Sequence, residues 1–81
     1  MNFSKNCFNA LIEEAVICMT QGGTQIDEFT PSFIYQMISD DQVQNEWDSL
    51  TVSEQELIAY DVRDQLQEGL IYDYEYSQGL L

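Results

Sequence analysis

The chain has 81 residues and sets fifteen Asp and Glu against Lys5 and Arg63, with no histidine, for a formal net charge of −13. That balance excludes a direct grip on DNA, RNA or anionic membranes, because affinity for phosphates is drawn from Lys and Arg. The length allows one domain, 1–81, and the 44% hydrophobic share, with Trp47, five tyrosines and four phenylalanines, supports one modest core rather than a disordered chain.

In chain order, the first element expected is a helix over 4–20, with Ser4 as N-cap. Cys7, Phe8, Leu11, Ile12, Ala15, Cys18 and Met19 recur at helical spacing, while Glu13 and Glu14 point away from that stripe and Ile17 falls off it. Gly22-Gly23 ends the helix. Cys7 and Cys18, eleven residues apart on one helix, are about 16 Å apart and cannot bridge. Both read as small buried hydrophobes in a reducing compartment.

Residues 24–29 read as an extended connector or a short strand. Thr30-Pro31 starts a helix, with Thr as N-cap and Pro at the first helical position, and Phe33, Ile34, Met37 and Ile38 form its apolar face. Ser39-Asp40-Asp41 interrupts or recaps this helix. Val43, Trp47 and Leu50 then predict a second short helix over about 41–49, with Trp47 in the core. Ser53-Glu54-Gln55-Glu56 predicts a capping box, Ser53 as N-cap and Glu56 reaching back. It opens the longest helix, which buries Leu57, Ile58, Val62 and Leu66 and is closed by Gly69. In the tail, Tyr72, Tyr74 and Tyr76 alternate with Asp73 and Glu75, the period of a strand. A lone strand needs a partner, so 70–81 reads as a strand or a flexible tail. The fold class expected is mainly α: a compact bundle of three to four helices, with 24–29 and 70–76 open to pairing as a two-stranded β element.

Several chemistries are set aside on residue type. Without histidine the commonest general base and metal ligand is missing, and two cysteines alone do not make a zinc site. Gly22-Gly23 is too little for a phosphate loop. Asp73-x-Glu75-x-Ser77 begins like a calcium loop, but its glycine, Gly79, falls at position 7 rather than 6. The expectation is therefore no enzyme activity, no cofactor and no dedicated metal site. No apolar run is long enough to span a membrane, and Asn6, Asn9, Glu13 and Glu14 interrupt any signal-peptide core. A soluble, cytoplasmic protein is expected, with no membrane partner.

The carboxylates carry the functional signal. Solubility asks for a net charge of only about 2–8 in a small domain. Glu54, Asp61, Asp64 and Glu68 fall within about 80° of one another along roughly 21 Å of the last helix. An ordinary amphipathic helix also has a wet face. That face usually intersperses lysines with its acids, because like charges at i, i+4 cost stability. Of the remaining acids all but Glu56 fall in pairs: Glu13-Glu14, Asp27-Glu28, Asp40-Asp41, Glu46 with Asp48, and Asp73 with Glu75. A row of carboxylates on a rigid scaffold imitates one strand of the phosphate backbone. Tyr72, Tyr74 and Tyr76 add interface-prone rings on which a partner's Arg can stack.

In size, charge and the layout of these residues, the chain resembles small acidic DNA-mimic anti-defence proteins of the phage type, both antirestriction and anti-CRISPR. The resemblance covers the whole chain as composition and layout. It implies a non-catalytic inhibitor that occupies the basic nucleic-acid-binding site of a bacterial defence complex in the host cytoplasm. A CRISPR effector is the favoured partner, blocked at its target-DNA or PAM site. The partner-binding residues expected are Glu54, Asp61, Asp64 and Glu68, then Asp73 and Glu75, then Glu13 and Glu14, with Tyr72, Tyr74 and Tyr76. The protein is expected to be a monomer or weak dimer. The alternative is a small acidic adaptor or antitoxin-like protein that neutralises a basic partner through an apolar and tyrosine interface.

Overall fold

A computed structural model describes residues 3–77, with side chains through Gly69. Among the described residues four helices follow one another: α1 (Lys5–Gly22), α2 (Pro31–Met37), α3 (Asp41–Asp48) and α4 (Val52–Ser77), with a 3-10 turn (Ile26–Glu28) between α1 and α2. Among the described residues there is no strand.

Each helix begins where a side chain can take its free N–H groups. The Ser4 hydroxyl accepts from the Cys7 N–H at 3.2 Å, and the Thr30 hydroxyl from the Phe33 N–H at 3.4 Å, with Pro31 at the first helical position. Asp40 recaps the chain after α2: its Oδ1 accepts from the N–H groups of Gln42 and Val43 at 2.8 and 3.2 Å. α1 stops because Gly23 turns to φ 70°, a left-handed conformation open to glycine, which lets the Thr24 N–H reach back to the Cys18 carbonyl at 3.1 Å.

Four expectations are corrected. The capping box of α4 lies two residues earlier than Ser53-x-x-Glu56. The Thr51 hydroxyl accepts from the Glu54 N–H at 3.2 Å, and Glu54 Oε1 accepts from the Thr51 N–H at 3.0 Å. Two S/T-x-x-E frames overlap here, and the earlier one lengthens an already nucleated helix. Gly69 does not close α4, which runs on to Ser77. A glycine inside a helix costs about 1 kcal/mol relative to alanine, less than breaking a propagating helix to leave an unpaired strand. For the same reason the β element is absent. Residues 26–28 form the 3-10 turn, held by a Gln25–Glu28 capping box, and 70–77 continue α4. Finally, Leu57 is not in the core but 59% exposed. The buried face of α4 is Ile58, Ala59, Val62 and Leu66, and Leu57 lies on the far side of that arc.

α4 is the spine. At 1.5 Å per residue its 26 residues run about 39 Å, which accounts for the long dimension of a 43 × 24 × 20 Å molecule. α1, the 3-10 turn and α2 pack against it, and α3 packs on α1. The core joins Cys7, Leu11 and Ala15 of α1, Ile34 of α2, Val43 and Trp47 of α3 and the α4 face. Phe29 is also fully buried, and it meets Phe33 edge-on at 5.3 Å. Trp47, as expected from its register, is a core residue, 1% exposed, with the Phe3 ring nearly perpendicular to it and the ring centroids 6.1 Å apart. Cys7 is buried and Cys18 half-buried, both as free thiols. Burial pushes the Cys7 thiol above its ordinary pKa.

Candidate functional site

Asp61, Asp64 and Glu68 come together as the sequence suggests. All three are exposed, and α4 holds them within about 60° of arc along about 10 Å of axis. Arg63 stays off this face. Its Nη1 donates to the Phe29 carbonyl at 2.7 Å, which ties the 3-10 turn to α4. The stripe therefore stands with no neutralising side chain from its own helix.

Glu54 has a second occupation. Its carboxylate is bound to Thr51 in the capping box, and the Thr51 backbone N–H is the main reason its pKa lies below the ordinary glutamate range. Glu13 and Glu14 lie elsewhere on the molecule. They border a small groove of about 220 Å³ with Ile38, Ser39, Asp40 and Val43. The other flank of α1, with Ile12, Val16 and Met19, faces Gln65, Leu66 and Gly69 of α4. Asp73, Glu75, Tyr72, Tyr74 and Tyr76 have a helical backbone, and their side chains lie outside the described residues. A helix turns about 200° between every second residue, so the one-sided alternation expected of a strand does not apply to them.

Several acids serve the fold: Asp40 as the recap that the sequence suggests, and Glu28 and Glu46 in roles that the sequence reading missed. Glu28 Oε2 accepts from the Gln25 N–H at 2.6 Å, Asp40 caps α3, and Glu46 clamps the start of α1. A carboxylate at a helix N-terminus gains from the unpaired N–H groups and the helix dipole. The Gln25-x-x-Glu28 spacing and the place of Asp40 before an apolar helix were local signals for two of these. Glu46 had none, since its partner Ser4 is 42 residues away.

The structure also adds apolar groups to the acidic face. Leu57 lies inside the arc of Asp61, Asp64 and Glu68, and Tyr60 lies about 40° beyond its edge. They are 59% and 66% exposed. A helical wheel centred on Ala59 would have found them. Beside Tyr60, an open groove of about 630 Å³ separates α4 from the 3-10 turn, with Asp27 on one wall and Asp64 on the other. Among the described residues no cluster of three acids and thiols is arranged to hold a metal ion, and no helix is long and apolar enough to cross a membrane.

No family model, curated protein or solved structure matches the chain.

Proposed function

We propose that this chain is a non-catalytic inhibitor that stands in for DNA and occupies the basic nucleic-acid-binding site of a bacterial defence complex. The favoured target is the DNA- or PAM-binding site of a CRISPR effector. The observation that carries the reading is the outer face of α4, where Asp61, Asp64 and Glu68 are exposed together on the longest rigid element and Arg63 is turned away to Phe29. Their axial steps of about 4.5 and 6 Å are coarser than the 3.4 Å rise between phosphates on one strand. Side-chain reach on both partners covers that difference. Competition is steric and electrostatic, and long-range attraction makes association fast.

The test is a pull-down from bacterial lysate at low salt with tagged protein, eluted by a salt gradient and repeated with excess duplex DNA. The expected result is capture of a DNA-binding complex that salt releases and DNA displaces. The triple variant Asp61→Lys, Asp64→Lys, Glu68→Lys should capture nothing. A partner held equally well by that variant, and indifferent to DNA, would sink the reading.

Leu57 and Tyr60 favour a second reading, an acidic adaptor or antitoxin-like protein whose contact is centred on apolar and tyrosine groups. Buried aromatic anchors ringed by polar residues carry most of the energy in such interfaces. Binding that persists in high salt and is lost in Leu57→Ala or Tyr60→Ala would select it.

A further inference from the structure

The groove between α4 and the 3-10 turn runs onto the acidic face, since Asp64 belongs to both and Tyr60 lies just beyond the edge of that face. Its walls combine three features. Met19, Ile26 and Tyr60 supply apolar and aromatic surface, and Asp27 and Asp64 supply a carboxylate from each side. Arg63 also lines it; its guanidinium donates to the Phe29 carbonyl at 2.7 Å and keeps its single positive charge against the two carboxylates. That bond links the two walls, so the space between Asp27 and Asp64 is set before any partner arrives, which lowers the ordering cost of binding.

We propose that this groove receives an arginine side chain from the partner's basic surface. The inference rests on the reading of the α4 face as a docking surface for a basic protein. The charge of the chain, −13, calls for a cationic occupant. Among cations, the groove chemistry selects arginine over lysine. A guanidinium is planar, stacks on the face of a tyrosine, and sheds water more readily than an ammonium. Its methylene stem fits against Met19 and Ile26 while its forked donors reach the flanking carboxylates. The groove thus acts as an anchor beside a charged stripe that confers attraction without fixing register.

The test uses the isolated protein and a defined probe. Amide-resolved NMR is recorded while acetyl-Gly-Arg-Gly-amide is added, and then its lysine and citrulline counterparts. The expected result is saturable shifts at Ile26, Asp27, Tyr60 and Asp64 with the arginine peptide. Binding should be about two- to fivefold weaker with lysine and undetectable with citrulline. Tyr60→Ala and Asp27→Asn, both at exposed positions, should each weaken arginine binding by a similar factor while leaving the rest of the spectrum unchanged. Three results would overturn the proposal: no shift up to tens of millimolar peptide, equal response to lysine and arginine, or shifts spread evenly over Asp61, Glu68 and Glu13. Failure of the DNA-mimic reading leaves this titration unchanged, because no DNA or captured complex enters it.

Discussion

The carboxylate of Glu46, on α3, holds Ser4 at the start of α1. Its Oε1 accepts from the Ser4 backbone N–H at 2.8 Å and its Oε2 from the Ser4 hydroxyl at 3.3 Å. Ser4 in turn accepts from the Cys7 N–H, so one glutamate fixes the cap of a helix 42 residues away in sequence.

This contact predicts an acid-sensitive contribution to stability. The Ser4 backbone N–H is the main cause of a Glu46 pKa below the usual glutamate value, helped by side-chain hydrogen bonds from Cys7, Ser4 and Gln42. A carboxyl whose pKa falls on folding contributes stability that is full above its unfolded value, about 4.3, and is lost as pH drops through the lower folded value. Glu46→Gln should therefore lower the melting temperature at neutral pH, and the gap from the wild type should close below about pH 4. Melting curves by circular dichroism across pH check this. A gap that stays constant down to low pH would show that the charge of Glu46 is not what holds Ser4.

The register of the α4 cap can be decided by two alanines. Thr51→Ala should cost about 1 kcal/mol, the usual loss of an N-cap side chain. Ser53→Ala, at an exposed position inside the first turn, should stay within about 0.5 kcal/mol of the wild type. Urea denaturation of both variants measures the difference. The opposite order would mean that the helix starts at Ser53.

Arg63 should matter out of proportion to its place on the surface. Its donation to the Phe29 carbonyl satisfies the backbone of a fully buried residue and ties the 3-10 turn to α4. Arg63→Met keeps much of the stem but leaves that carbonyl without its partner, at a cost of about 1–3 kcal/mol. Hydrogen exchange should accelerate at Glu28 and Phe29, whose N–H groups bond to Gln25 and Ile26. Unchanged exchange there would mean that the turn is held by Phe29 packing alone.

Salt should stabilise the free protein. Two basic side chains cannot balance fifteen carboxylates, and screening at about 0.5 M salt shortens the range of their repulsion to a few ångströms. The melting temperature should rise steadily from low salt. A flat response would mean that the acids are spaced, or engaged at helix starts, well enough for repulsion to be small.

The local signals in the sequence were read correctly where a single residue does a short-range job. Ser4, Thr30-Pro31, Asp40 and Gly23 start or stop helices through contacts no more than five or six residues away, and apolar spacing alone placed Trp47, Leu11 and Val62 inside. Reading failed where two local answers competed. Thr51 and Ser53 both offered capping frames, and Gly69 and the tyrosine alternation both argued against a helix that simply continued. Propagation decided these cases, because extending an existing helix adds a hydrogen bond without a new nucleus.

The sequence by itself determined a helical chain with a large uncompensated negative charge, because residue type and spacing set both without reference to distant neighbours. Only the tertiary structure decided which carboxylates remain free. Glu46 is taken up by Ser4, Arg63 is drawn to Phe29, and Asp61, Asp64 and Glu68 are left facing outward beside Leu57 and Tyr60, whereas Glu54 is held locally by Thr51 three residues before it. The physical reason is that a side chain's availability depends on what folding brings within hydrogen-bond reach. For Glu46 and Arg63 those partners lie 42 and 34 residues away in the chain.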